Sequence, residues 1–245
     1  MLYLGLDLAW GERNPTGVAV VDAAGRLLDV RAARTDAEIL AAATATLGPV
    51  PPDAAPPCVA GIDAPLVVVN ATGSRLAEQQ LGRDFRPFQA GCHPSNTGKP
   101  EFAHGTRGAR VAGLLRLPLH GDHGPRALEV YPHAATVALF ELPRILRYKN
   151  KPGRDLELLR SELARLMELT ATVVDVEGHP GWAALAREVA TTTTKAGLRR
   201  VEDQVDAVVC AHVARLADQC PDAVVHYGDP ATGVITTPAL GGPRP

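Results

Sequence analysis

Along the first third of the chain, apolar residues recur with period two. Leu2, Leu4, Leu6 and Leu8 alternate with Tyr3, Gly5, Asp7 and Ala9, which predicts a strand over 2–9. Two more short strands are expected at 16–22 and 26–33, separated by the turn-forming segments GERNPTG and DAAGR. A helix at about 35–47 begins at Thr35 or Asp36, and Pro49, Pro51, Pro52, Pro56 and Pro57 hold the chain in a loop before CVAGIDAP resumes as a strand.

Beyond that strand the period shifts. Residues 73–83 predict a helix, and 84–106 form an irregular stretch of Gly, Pro, His and basic residues. A helix at about 106–117 precedes the strand ALEVYP at 127–132. Helical patterns follow at about 133–141, 154–170, 180–190 and 199–218. AVVHYGDPATGVITTP closes the chain as a β-hairpin turning at Gly228–Thr232. Three antiparallel strands followed by alternating helices and strands describe an α/β fold with a mixed sheet.

If the strand at 57–63 lies parallel beside the first, two G-x-D segments become neighbours: Gly5-Leu6-Asp7 and Gly61-Ile62-Asp63. Each Asp shares a strand face with the Gly two residues earlier, so the face has room for an ion or a phosphate. Glu129 is a third acid in an apolar strand. Asp203 and Asp206, three apart in the last long helix, share a face with Ala207, Cys210 and Ala214. Asp206 ranks ahead of Asp203, because acids in a helix's first turn also serve its dipole. For each strand acid the competing reading is a helix cap or an arginine partner. Together they form an oxygen-rich set suited to Mg²⁺ or Mn²⁺, whose ions activate a water and stabilise the leaving oxygen of a phosphodiester.

The chemistry of nucleophilic catalysis is missing: there is no GxSxG, and Cys92-His93 are merely sequence neighbours. His120 and His123 lack partner ligands for zinc. The four cysteines show no metal spacing and are expected as free thiols of a reducing compartment. Asp7 interrupts the first apolar run, so no signal peptide is expected. No apolar run of roughly 18 residues predicts a membrane span. A cytoplasmic location is therefore the expectation.

The net charge of −2 gives no global attraction to nucleic acid, but charge is unevenly placed. Residues 83–126 hold seven basic against three acidic residues, and 144–160 hold six against two. Lys149, Lys151 and Arg107 are thus candidate phosphate contacts, and His133, just after Glu129-Val130-Tyr131-Pro132, is placed to orient a water or leaving group. The segment 84–106 is long for a loop and reads as a basic insertion.

GLDLAW at 5–10, GIDAPL at 61–66, EVYPHA at 129–134, YKNK at 148–151 and EDQVDA at 202–207 together resemble the family called domain of unknown function 429. The resemblance implies a single RNase H-like domain over 1–245. Its mixed five-stranded sheet would be flanked by helices, with helical insertions and a C-terminal hairpin. It also implies metal-binding acids at Asp7, Asp63, Glu129 and Asp206, with Asp203 as a further ligand, and nuclease chemistry on DNA or RNA. Two alternatives stand beside it: a nucleotide-phosphate enzyme of the actin and sugar-kinase type, and a non-catalytic module that binds nucleic acid or protein.

Overall fold

The computed structural model describes residues 1–121 and 123–242. Its centre is a seven-stranded mixed sheet. The strands are β1 (Leu2–Asp7), β2 (Thr16–Val21), β3 (Leu27–Ala33), β4 (Cys58–Ile62), β5 (Arg126–Val130), β6 (Val224–Asp229) and β7 (Gly233–Pro238), in the order β3-β2-β1-β4-β5-β7-β6. The first three form an antiparallel meander. β4 returns parallel beside β1, β5 parallel beside β4, and β7 parallel beside β5.

The expected five strands become seven because the C-terminal hairpin does not stand apart. Every residue of β7 is buried, so its apolar segment needs a strand neighbour, and the free edge of β5 supplies the hydrogen bonds at Glu129 and Val130. β6 buries only Val224 and Tyr227 and leaves its other positions exposed or half-buried, as suits an edge strand.

The helices are α1 (Asp36–Leu47), α2 (Leu76–Phe85), α3 (Arg107–Leu114), α4 (Pro132–Leu139), α5 (Leu156–Thr170), α6 (Pro180–Thr191) and α7 (Lys195–Gln219). Thr35 starts α1 with a capping box. Its hydroxyl accepts from Glu38 N at 3.2 Å, while the Glu38 carboxylate accepts from Thr35 N. The period-two pattern of β1 divides the core: Leu2, Leu4, Leu6 and Leu8 face α1 and α3, and Tyr3, Gly5 and Asp7 face α7. No helix among the described residues is long and apolar enough to cross a membrane.

How α7 meets the sheet decides where the acids lie. A Cβ on Gly5 would fall 1.8 Å from Ala207 O, on Gly17 1.8 Å from Asp203 O, and on Gly61 2.3 Å from Cys210 O. Asp203, Ala207 and Cys210 sit at i, i+4 and i+7 on one ridge of α7. Gly17, Gly5 and Gly61 come from three adjacent strands. The space left by these glycines therefore admits helix backbone, not an ion, which corrects the expectation for Gly5 and Gly61. Side chains there would lift α7 and with it Asp203 and Asp206.

Candidate functional site

The parallel strands β1, β4 and β5 all end at the same edge, and beyond those C-terminal ends lies a cavity of about 340 Å³. Ligands in open α/β sheets bind at this edge. Asp7 is the last residue of β1, and Asp63 follows the last residue of β4, with Asp63 N donating to Leu6 O at 2.8 Å. Both carboxylates line the cavity. They lie on the α7 side of the sheet, two residues beyond Gly5 and Gly61.

Lys149 ties one of them to the helix. Its ammonium lies 3.2 Å from Asp7 Oδ2, 2.6 Å from Asp206 Oδ2 and 3.9 Å from Asp203 Oδ1. Asp206 is fully buried, and its other oxygen accepts from the Tyr148 hydroxyl at 2.7 Å. The Lys149 contact with Asp206 Oδ2 is an ion pair in distance, but its angles do not make it a hydrogen bond. Lys149 is held in its charged form: burial opposes this, but Asp206 and Asp7 outweigh it. One N–H of Lys149 bonds Asp7 Oδ2, Asp206 is held by charge, and the ammonium also lines the cavity.

Asp63 differs from the others. Among the described residues its carboxylate has no hydrogen-bond or ion-pair partner. Burial first, and then the neighbouring Asp7, push it well above the usual carboxylate range. Asp7 is also pushed up, by burial first, with Lys149 opposing and Asp206 and Asp203 adding. Asp203 rises to about 7 for the same leading reason. Three acids thus lie within 4 Å of one lysine with Asp63 beside them, and the crowding resists ionisation of the carboxyls, which a bound cation would favour.

Glu129 belongs to a separate network. β4 and β5 pair Ile62 with Glu129 and Gly61 with Leu128, so Glu129 projects to the face opposite Asp7 and Asp63. There Arg75, only 3% exposed, grips it with a fork: NH2 to Oε1 at 2.5 Å and NH1 to Oε2 at 2.9 Å. Leu66 N adds 2.9 Å. Arg75 also donates to Glu78 at 2.9 Å, and Glu78 accepts from Ser95 N at 3.0 and 3.1 Å. The arginine-partner reading thus describes Glu129, which lines the cavity without being free to ligate.

The basic candidates separate in the same way. Arg107 is buried and bound to Asp36 at 2.8 Å and to the carbonyls of Ala9, Gly11 and Arg34 at 2.7–3.0 Å. It fastens the segment after β1 to α3 and is not available to a phosphate. Lys151 is exposed and lines the cavity. His133 lies in the first turn of α4, against the rings of Tyr131 and Tyr148, and also lines the cavity. Burial and then Lys149 push it down to about 4, so it is neutral near pH 7. Its Nδ1 is buried without a partner.

The residues fit a hard divalent cation in a particular way. Among the described residues, no three His, Cys, Asp or Glu side chains are gathered to hold a metal ion. Mg²⁺, however, is commonly held by one or two carboxylates with waters and substrate oxygens completing its shell. The partnerless Asp63 and its neighbour Asp7 match that two-carboxylate donor set. Arg75, Glu78 and Tyr148 complete the setting without having been singled out as site residues. A buried strand acid such as Glu129 calls for a basic partner, but nothing local indicates Arg75 among the other arginines. A family model described as a protein of unknown function (DUF429) matches residues 5–232. No curated protein and no solved structure matches the chain.

Proposed function

The chain belongs to the DUF429 family, and from that premise and the site geometry we propose an RNase H-like, divalent-metal-dependent phosphodiesterase that acts on nucleic acid. The observation that carries the proposal is Asp63: a partnerless carboxylate beside Asp7, facing a cavity at the C-terminal edge of parallel strands. The strand order β3-β2-β1-β4-β5, with β2 antiparallel, supports the RNase H-like reading, and the hairpin strands extend it.

Asp7 and Asp63 would hold Mg²⁺ or Mn²⁺, which supplies charge to a phosphoryl oxygen and lowers the pKa of a water. Lys149 keeps Asp7 and Asp206 in place and sets its positive charge at the wall of the cavity, where it would attract the phosphate. Asp206, fixed by Tyr148 and Lys149, acts on the site through that lysine and is a positioning residue. His133, neutral and unpartnered at Nδ1, accepts a hydrogen bond from the attacking water. Lys151 at the mouth contacts a neighbouring phosphate.

The test is cleavage of single- and double-stranded DNA and RNA in Mg²⁺ and Mn²⁺ by the full chain, alongside Asp7→Asn and Asp63→Asn. Metal-dependent cleavage lost in both variants supports the proposal. Cleavage that survives both substitutions overturns it, as does no cleavage of any of these substrates.

A further inference from the structure

We propose that the substrate is single-stranded, with one unpaired base stacked on the indole of Trp10 at the wall of the cavity. This rests on the phosphodiesterase reading for its phosphate site and adds the chemistry of the substrate's other half. Trp10 is 40% exposed, and of the exposed large apolar side chains among the described residues it is the one that lines this cavity. Its ring is braced by Phe102, 3% exposed, at a centroid separation of 5.1 Å and an interplanar angle of 59°. Lys99 Nζ lies over the indole, 5.8 Å from its centroid, and donates to Pro94 O, so a base stacking on that face displaces its ammonium toward the phosphates. With Lys151 it sets positive charge beside an aromatic surface, the combination that binds single strands.

The geometry relates this surface to the acids. Trp10 is three residues after Asp7, so at most about 11 Å of chain separates them. That is about three nucleotides of a stacked strand at 3.4 Å each. A phosphate at Asp7 and Asp63 therefore leaves a nearby base within reach of the indole. In a duplex both faces of an internal base are covered by its neighbours. The indole meets a base face only where the base is unpaired or turned out of the stack.

The experiment measures binding of the full chain in Ca²⁺, an oxygen-ligated cation that takes the place of Mg²⁺, with the probes checked to be intact afterwards. The probes are a twelve-nucleotide thymidylate DNA, a twelve-nucleotide uridylate RNA and a twelve-base-pair duplex. Affinity is read by anisotropy of labelled probes and stacking by quenching of indole emission, with the buried Trp182 as background. The expected result is tighter binding of a single strand than of the duplex, with quenching. Trp10→Ala should lose about 5- to 150-fold in affinity, while Trp10→Phe keeps most of it. Unchanged melting of Trp10→Ala shows that the fold is intact, since the side chain is an exposed one. Affinity of Trp10→Ala within twofold of wild type overturns the proposal, as does equal, equally Trp10-dependent binding of the duplex. Trp10-dependent binding without cleavage in Mg²⁺ or Mn²⁺ overturns the phosphodiesterase reading alone, and cleavage indifferent to Trp10 overturns the stacking alone.

Discussion

Replacing Arg75 with Met separates a structural role for Glu129 from a ligating one. The substitution keeps an unbranched apolar stem but removes the fork on Glu129 and the bond to Glu78, three charge-assisted contacts between side chains almost wholly out of water. Breaking one partner of a buried ion pair typically costs about 3–5 kcal/mol, since the orphaned charge remains buried. In a chain of this size about 1 kcal/mol lowers the melting temperature by about 2–4 °C, so the expected drop at pH 8 is about 6–20 °C. The loss should shrink on acidification. Burial already raises Glu129, and Arg75 is the main opposing influence. Without Arg75 the native carboxyl holds a proton to higher pH than the unfolded one. Stability then falls as pH rises through that interval and is recovered below it. The double variant Arg75→Met, Glu129→Gln should melt above the single one. Calorimetric melts from pH 5 to 8 measure all three proteins. A single variant that melts like wild type at pH 8, or whose loss grows toward pH 5, would refute this account of Glu129.

Gly5→Ala places a methyl against Ala207 O and Ala211 N and should cost about 1–3 kcal/mol or more by chemical denaturation. The exposed helical Gly113, with nothing within 4 Å of an added Cβ, should instead gain about 0.5–1 kcal/mol as Ala. Asp203, pushed up to about 7 by burial, binds a proton in the folded state that the unfolded chain releases near pH 4, so its contribution falls as pH rises between those values. Asp203→Asn should match wild type below pH 4 and become the more stable of the two as pH rises toward 8; an unchanged pH slope in its melting curves would be inconsistent with the buried acid.

Much of the sheet is legible in the sequence because local signals dictate it. Alternating leucines give β1, prolines and glycines mark the turns, and Thr35 with Glu38 marks the start of α1. The neighbouring Asp7 and Asp63 follow from one inference, that β4 lies parallel to β1, and the register bears this out. What fails is what depends on partners distant in sequence. The face of Glu129 depends on its register with Ile62, and its partner Arg75 lies 54 residues away. Arg107 carries the same charge as Lys151, yet folding surrounds it with Asp36 and three carbonyls. The strand period that puts Gly5 and Gly61 on the face of the acids predicts space for a ligand, and α7 fills that space.

The most direct measurement of the central claim is a Mn²⁺ titration of wild type and Asp63→Asn by calorimetry at pH 8 and pH 6, each in two buffers of different ionisation enthalpy. Because Asp7 and Asp63 hold protons above the usual carboxylate range, ligation should expel protons and bind more weakly at pH 6. Wild type is predicted to bind Mn²⁺ with buffer-dependent heat, and Asp63→Asn to lose that binding. Equal binding by the two proteins, or none by wild type, would contradict the account.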